Sequence, residues 1–483
     1  MIVPDFRTDF RGGVNTAYSD ELVQPNELRV ATNFRLNTYG ALVKRNATKR
    51  FHSAAIASAA DVLGVFQWDA PAVTGQVVAV AGGNFYHKTI AATAYTEVSG
   101  SLSTTILPWF VVHIQGGTRK LYIADGGLLN SWDGTTLTQN IAGSPSARSL
   151  GIYGRRLFVT DNTKTLRWSA VDDPEDFTSA SGGGSSPVET FDDEPLVGLA
   201  HVGSSLLLFK QDSIARFTGV ASTDIRIDLD TEGVSADIGC IAPKTIVRFE
   251  QFVFFLSDLG PYAATEAGVI AIGEKIENKF DARDWSDAVA AHHKGAREVW
   301  LYSQGLGEGW IYNYRLGSWT GPHDFSSTFE AYSMAAFEDA SGFKFIQCGG
   351  GDGFIRHGDS TANSDSTDDY TSSDTGGTAI TAQADLPDLL FADPTAVKIA
   401  QMTQWVHADL KSTSGSLQFI TNSELMAAAL TVTIPGTASG VLPYKAKPGW
   451  RGRRLSLTLK EATAETIQIN AIELMAKLGR RAA

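Results

Sequence analysis

The chain has 483 residues, 43% of them hydrophobic and 19% charged. That is enough apolar material for packed cores and excludes a globally disordered chain. Forty Lys+Arg against 53 Asp+Glu leave a net charge of −13, which excludes a protein that wraps nucleic acid with its whole surface.

Residues 1–7 lack the apolar core of a signal peptide, and no stretch approaches 18 apolar residues, so no membrane-spanning helix is expected. Two cysteines, Cys240 and Cys348, make neither a disulfide framework nor a metal cluster and read as buried thiols. Glycine numbers 47, which suits turn-rich β architecture better than helical bundles. Helical periodicity is nearly absent; the best helix candidates are 26–33 and 284–291. The rest reads as short strands between turns.

The strands are of two kinds. Residues 76–81, 206–209 and 252–256 are apolar at every position, the signature of a strand buried on both faces. Residues 453–460 alternate, with Leu455, Leu457 and Leu459 on one face. From about residue 60 to 358 a loose unit recurs: a small-residue turn, a buried strand, a tight turn and a second strand ending near an aromatic. Seven copies lie at 62–99, 103–140, 147–180, 196–225, 245–273, 288–320 and 330–358, with six or eight left open by their divergence. The period of about 40–45 residues fits a four-stranded propeller blade. The clearest pair is 120–134, with Trp132-Asp133, and 156–168, with Trp168.

A Ser/Thr/Asp/Gly-rich stretch, 358–378, reads as a linker or exposed loop. Beyond it, Leu430, Val432 and Ile434 alternate, and Ile467 and Ile469 are one residue out of phase with Ile472 and Leu474, which a β-bulge between them would correct. The expected fold is therefore all-β: an N-terminal extended arm and first strands packing on the body (1–60), an approximately seven-bladed β-propeller (61–358), a polar linker or loop (359–378) and a C-terminal β-sandwich-like platform (379–483).

Few residues point to chemistry. No nucleophile elbow, P-loop, HExxH or CxxC motif occurs, and no catalytic residue, cofactor or metal is expected. His292-His293 would face opposite sides of a strand, and 349–353 reads as a tight interblade turn. Asp172, Asp173, Glu175 and Asp176, with Glu189, Asp192, Asp193 and Glu194, place eight acids and no base in 23 residues. A solvated acidic rim is the simplest reading, a glycosidase-like carboxylate pair or a wall that repels a polyanion the sharper ones. The charge is also segregated: 441–483 carries nine basic and three acidic residues, +6, leaving −19 for the first 440. Trp450, Arg451, Arg453 and Arg454 could dock an acidic partner, contact phosphate, or guard a strand edge. Trp68, Trp132, Trp168, Trp310 and Trp319 could stack on sugars, but such positions are more often packing.

The most specific text is N-terminal: Asp9-Phe10-Arg11-Gly12-Gly13-Val14-Asn15, Pro25-Asn26-Glu27-Leu28, Asn33-Phe34-Arg35-Leu36 and Gly40-Ala41-Leu42-Val43-Lys44-Arg45. It resembles the opening of bacteriophage tail hub (nozzle) proteins, a packaged-DNA-stabilisation-like β-propeller family of short-tailed phages. Segments at 153–158 with 172–177, 197–214, 297–319 and 452–473 resemble it too. The pattern departs at Asn46, where a Pro-Gly turn is expected. The resemblance implies a non-enzymatic structural virion protein, assembled in the host cytoplasm. It implies a homo-hexamer that extends the DNA channel below the portal and adaptor, with fibres or spikes around it and a plug or needle at its end. The bottom-up alternative is a carbohydrate-binding propeller for host attachment.

Overall fold

The computed structural model describes residues 2–7, 9–20, 22–71, 73–190, 193–219, 226–229, 234–324, 330–360, 367–368, 377–388, 398–399, 404–410, 416–423, 428–435, 442–446, 451–452, 454–463 and 465–478. Among them are seven four-stranded antiparallel sheets. Six are sequential, at 62–98, 109–138, 149–187, 198–228, 247–271 and 289–323. The seventh joins Ala331–Glu338, Lys344–Gly350 and Ile355–Ser360 to Ala47–Arg50. Their innermost strands touch in turn, and that of blade 7 touches Val62–Ala70 of blade 1, so the ring closes. The expected β-propeller is the observed one, with seven blades.

The apolar runs are second strands. Ser205–Phe209 and Glu298–Ser303 are buried at every position, polar ends included. Each lies mid-blade with a neighbouring blade on either face, so no side-chain direction leads to water. Specific bonds fix the blade contacts. Gln67 and Glu338 join blades 1 and 7 reciprocally, Nε2 to the Glu338 carbonyl and Oε1 from its N–H, both at 2.6 Å. Gln76 Oε1 accepts from Trp132 Nε1 (2.6 Å) and Trp68 Nε1 (3.2 Å) across blades 1 and 2.

Both expected helices are absent. Residues 26–33 form the strands Glu27–Leu28 and Val30–Thr32, ending at Asn33 with φ 54°. Near 284, the Asp284 carboxylate accepts the Ser286 N–H at 2.9 Å, as a helix start would. Only one turn follows, Ala288 N–H to the Trp285 carbonyl, because Trp285 packs on Phe280 at 4.7 Å and Val289–His293 becomes the inner strand of blade 6. The turn at 351–354 lies within blade 7, between its second and third strands, and not between blades.

Residues 2–50 contribute strands to two bodies. After Arg45 the chain does not enter blade 1; it supplies the outer strand of blade 7 first. Further strands of the same segment join two sheets made with C-terminal residues. Val30–Thr32 edges a five-stranded sheet with Ala382–Asp385, Ser456–Glu461, Ser416–Asn422 and Leu430–Pro435. Ile2–Arg7 and Leu42–Lys44 pair with the long strand Ile467–Leu478 of an eight-stranded sheet. Leu455, Leu457, Leu459, Ile467, Ile469 and Ile472 are buried there. Pairing passes from Ile469–Ala408 to Ala471–His407, so Asn470 is the bulged residue that brings Ile472 back into phase. This core is continuous with Phe254, Trp310 and Trp319 of blades 5 and 6.

Lys44 and Glu461 form an ion pair with neither side chain exposed. Lys44 Nζ also reaches the Thr463 carbonyl at 2.5 Å, and Glu461 Oε1 accepts the Thr463 N–H at 2.7 Å. Removing one partner of such a pair strands the other charge in a dry core, at a cost of about 3–5 kcal/mol. Lys44→Met is therefore expected to lower stability by about that amount in urea unfolding, and Lys44→Met with Glu461→Leu to recover most of the loss.

Around the closing strand, burial pushes His52 down to about 4, with the Lys88 and Arg356 charges adding to the shift. Burial pushes His357 down to about 3, helped by Lys88 and Lys49. The unfolded chain thus takes up protons that the folded one refuses below the ordinary histidine value. Stability is intact above about pH 6.5 and falls as pH drops through 4 towards 3. The expected result is a lower urea midpoint at pH 5 than at pH 7.5, with a smaller difference in His357→Phe.

Candidate functional site

Around the propeller axis lies a cavity of about 370 Å³. Its walls are inner-strand residues of blades 1, 2, 5, 6 and 7, with Leu107, Pro108 and Lys244 from loops between blades. Inner strands alternate, so every second residue faces the axis. In blade 7 these are the half-buried Tyr332 and Met334 and the exposed Ala336. Phe66 and Phe110 stack at 5.5 Å between blades 1 and 2. The walls of blades 3 and 4 are covered by Trp109, whose ring reaches Gly198 at the start of blade 4's inner strand. Lys244 lies over that ring, its Nζ 4.3 Å from the centroid, and donates to the Pro108 carbonyl at 2.8 Å. Burial lowers Lys244 to about 7.

The lining includes Lys244, Arg248 and His292 and no carboxylate, in a chain of 53 acids. His292 is held down to about 4 by burial, then by the charges of His293 and Lys294, and its Nε2 lies 3.1 Å from the Tyr314 hydroxyl. His293 faces the other way, into the blade beside Trp300 at 6.0 Å. Sequence reasoning missed Lys244 and Trp109, because no local pattern marks a loop residue that a ring of 300 residues will bring to its axis. The alternation of the inner strands is the one signal that could have found the wall.

The sequence-selected residues do not gather there. The acidic groups part by topology. Asp172, Asp173, Glu175 and Asp176 lie in the loop between the third and fourth strands of blade 3, whereas Asp193 and Glu194 follow its fourth strand, at the blade's other end. Asp192 is outside the described residues. The first group is engaged with neighbours. Asp172 pairs with Arg155, Nε to Oδ1 at 2.8 Å. Glu175 Oε1 accepts from Lys120 Nζ and the Tyr122 hydroxyl, both 3.1 Å. Asp173 accepts from Gln115 at 3.3 Å, and Asp176 accepts the Thr178 N–H at 2.8 Å. Asp193 forms an exposed pair with Lys164. Of the basic set, Arg451 pairs through its backbone with Ile399, and Arg454 is exposed, 3.9 Å from Asp388. Trp450 and Arg453 are outside the described residues.

The tryptophans offered for sugar stacking are packing residues. Trp68, Trp132, Trp168, Trp310 and Trp319 are exposed by 4, 0, 8, 0 and 2%, leaving no ring face for a glycan. Trp132→Ala is expected to cost about 3–5 kcal/mol, read in urea unfolding, since it empties a site between blades and removes the shorter of two bonds to Gln76 Oε1.

A family model described as "Bacteriophage P22 Gp10, beta-propeller" matches residues 17–303, more than half of the chain. No curated protein matches the sequence. Among solved structures, the computationally designed Ika8 protein is 13% identical, over 65% of this chain and 100% of that one, with a TM-score of 0.40. The N-terminal domain of Nup159 is 10% identical over 65% and 95%, with a TM-score of 0.36. The extracellular domain of the putative one component system BT4673 from B. thetaiotaomicron is 9% identical over 90% and 63%, with a TM-score of 0.43. With a family match over most of the seven blades and a ring built as that description says, the chain belongs to the phage stabilisation family, the P22 Gp10 β-propellers.

Proposed function

We propose that this phage structural protein is the tail hub, or nozzle, subunit of a short-tailed phage. Six copies form a ring below the portal and adaptor, hold the packaged genome, and conduct it on ejection. The family membership carries this reading. Fibres or spikes attach around the ring, and a plug or needle closes its lower end. The subunit acts by assembly and not by catalysis, as part of the virion.

The physical features agree. A propeller closed on itself offers few free strand edges, which suits a rigid module packed among copies of itself. The axial cavity is too small for duplex DNA, whose major groove alone is about 12 Å wide, and Trp109 with Lys244 obstructs it. DNA would pass between subunits and not through one. A ring then needs one heterologous contact that closes. The net charge of −13 suits a bore that repels phosphate and lets the duplex slide, while the basic 441–483 suits docking on an acidic neighbour, with Trp450, Arg451, Arg453 and Arg454 as the contact residues.

Electron microscopy of the purified protein, alone and added to tails stripped of this subunit, tests the reading. Sixfold rings, restored on the stripped tails, are expected. A protein that stays monomeric in both settings would sink it.

A further inference from the structure

The axial cavity is the part of the molecule that the hub role leaves unused. Its size lies in the range of small-ligand sites, and its make-up is that of such a site: apolar walls with a few polar groups at fixed places. Its charge is the informative feature. Blades 1 and 2 bring only uncharged residues, Phe66, Trp109 and Phe110 among them. Blade 5 brings Arg248, blade 6 His292 and blade 7 Tyr332, with Lys244 from the loop before blade 5. Asp61 and Glu330 act on Tyr332 but are not part of the wall. Lys244 has three N–H donors; one goes to the Pro108 carbonyl, and its other contact is the Trp109 ring face. A half-buried ammonium without a carboxylate is partly desolvated at a cost, and an anion placed beside it would relieve that cost through a charge-assisted bond.

We propose that the axial cavity binds a carboxylate carried at the end of a small apolar body, with Lys244 and Arg248 holding the carboxylate and the Phe66, Phe110 and Met334 walls holding the apolar part. A medium-chain fatty acid and the apolar C-terminal residue of a polypeptide share this chemistry. The site stands independently of ring assembly.

The test is titration calorimetry on the full chain at pH 6.5. The probes are decanoate, decyltrimethylammonium, and N-acetyl-Leu-Phe as free acid and as amide. At least one carboxylate is expected to bind, and to bind about tenfold or more tighter than its cationic or amide counterpart. The carboxylate that does so identifies the source. Lys244→Met should weaken it by about ten- to hundredfold, the worth of one charge-assisted bond. Ala336→Phe, which fills the cavity from the inner strand of blade 7, should abolish binding while leaving the urea midpoint unchanged. Affinity should also fall between pH 6.5 and 8.5 as Lys244 loses its proton, since His292 is already neutral there. Failure of both carboxylates to bind, equal affinity for decanoate and decyltrimethylammonium, or unchanged binding in Lys244→Met would overturn the proposal.

Discussion

Ring closure is the constraint on which the rest of this structure depends. Six blades are each made from one stretch of chain, but the seventh is complete only when Ala47–Arg50 lies along Ile355–Ser360. Without it, blade 7 would present a bare edge, and the contact between blades 7 and 1 would rest on three strands. The closing ladder is electrostatically poor. Arg50 faces Arg356 and Lys49 faces His357, and like charges directly opposite are unfavourable. What holds it lies just beyond the strand. Lys88 donates to the Phe51 carbonyl at 2.9 Å and lies 3.4 Å over the Phe51 ring. Phe51 and Phe337 enclose the His357 ring at 4.2 and 4.5 Å. His52 Nε2 accepts the Ile355 N–H at 2.8 Å, and Asp352 neutralises Arg356. Neutral histidines are therefore part of the closure, for a proton on either would add a cation to a set that is already positive.

Much of the fold was legible because propellers are periodic. Every blade buries its second strand, so a run such as Phe254-Phe255-Leu256 betrays its place without knowledge of its neighbours. The bulge at Asn470 was legible for a similar reason: a strand in water on one side keeps a phase, and a slip in phase has one cheap remedy. What escaped were features settled at long range. Residues 47–50 have no mark of an outer blade strand, since their partner lies some 300 positions away. The helix signal at Asp284 was locally sound, and its capping bond exists, but the need for an inner strand at 289 overrode it. The site was less legible than the fold. The acidic run looked like one feature and is two, separated by the length of a blade. The basic run rests on residues whose side chains are mostly not described, while the axial cations came from positions with no sequence signature.

The same geometry separates two readings of an acidic, aromatic-rich propeller. A glycan-binding surface needs ring faces in water, and the five tryptophans raised for that purpose are inside, with Trp132 and Trp68 sharing Gln76 Oε1 as an interblade clamp. A carboxylate pair for hydrolysis needs two acids free to exchange protons, and Asp172 and Glu175 are instead committed to Arg155 and to Lys120 with Tyr122. These five tryptophans and the acids of the blade 3 loop thus serve packing and loop geometry, which is the pattern of a subunit whose business is to hold a shape.

Two consecutive residues help to hold that shape as one piece. Lys44 and Arg45 lie on one extended segment, so their side chains leave it on opposite sides. Lys44 enters the C-terminal sheets and meets Glu461. Arg45 turns towards the propeller, donating to Asn33 Oδ1 at 2.9 Å and to the Asp324 carbonyl at 2.8 Å, just past the outer strand of blade 6. Asn33 completes the junction: its N–H reaches His323 Nδ1 at 3.1 Å and its Nδ2 the Thr381 carbonyl at 2.8 Å. Two residues later the same chain enters blade 7 and closes the ring. The Gly-x-Leu-x-x-Arg motif at 40–45 is therefore a joint of the molecule. Its lysine fixes the platform, its arginine fixes the propeller, and the strand that follows locks the circle. The platform also shares its apolar core with blades 5 and 6 and is tied to blade 6 by the Arg35–Glu298 ion pair, so this joint works alongside packing, and parting the two bodies would disturb the segment that leads into the closure.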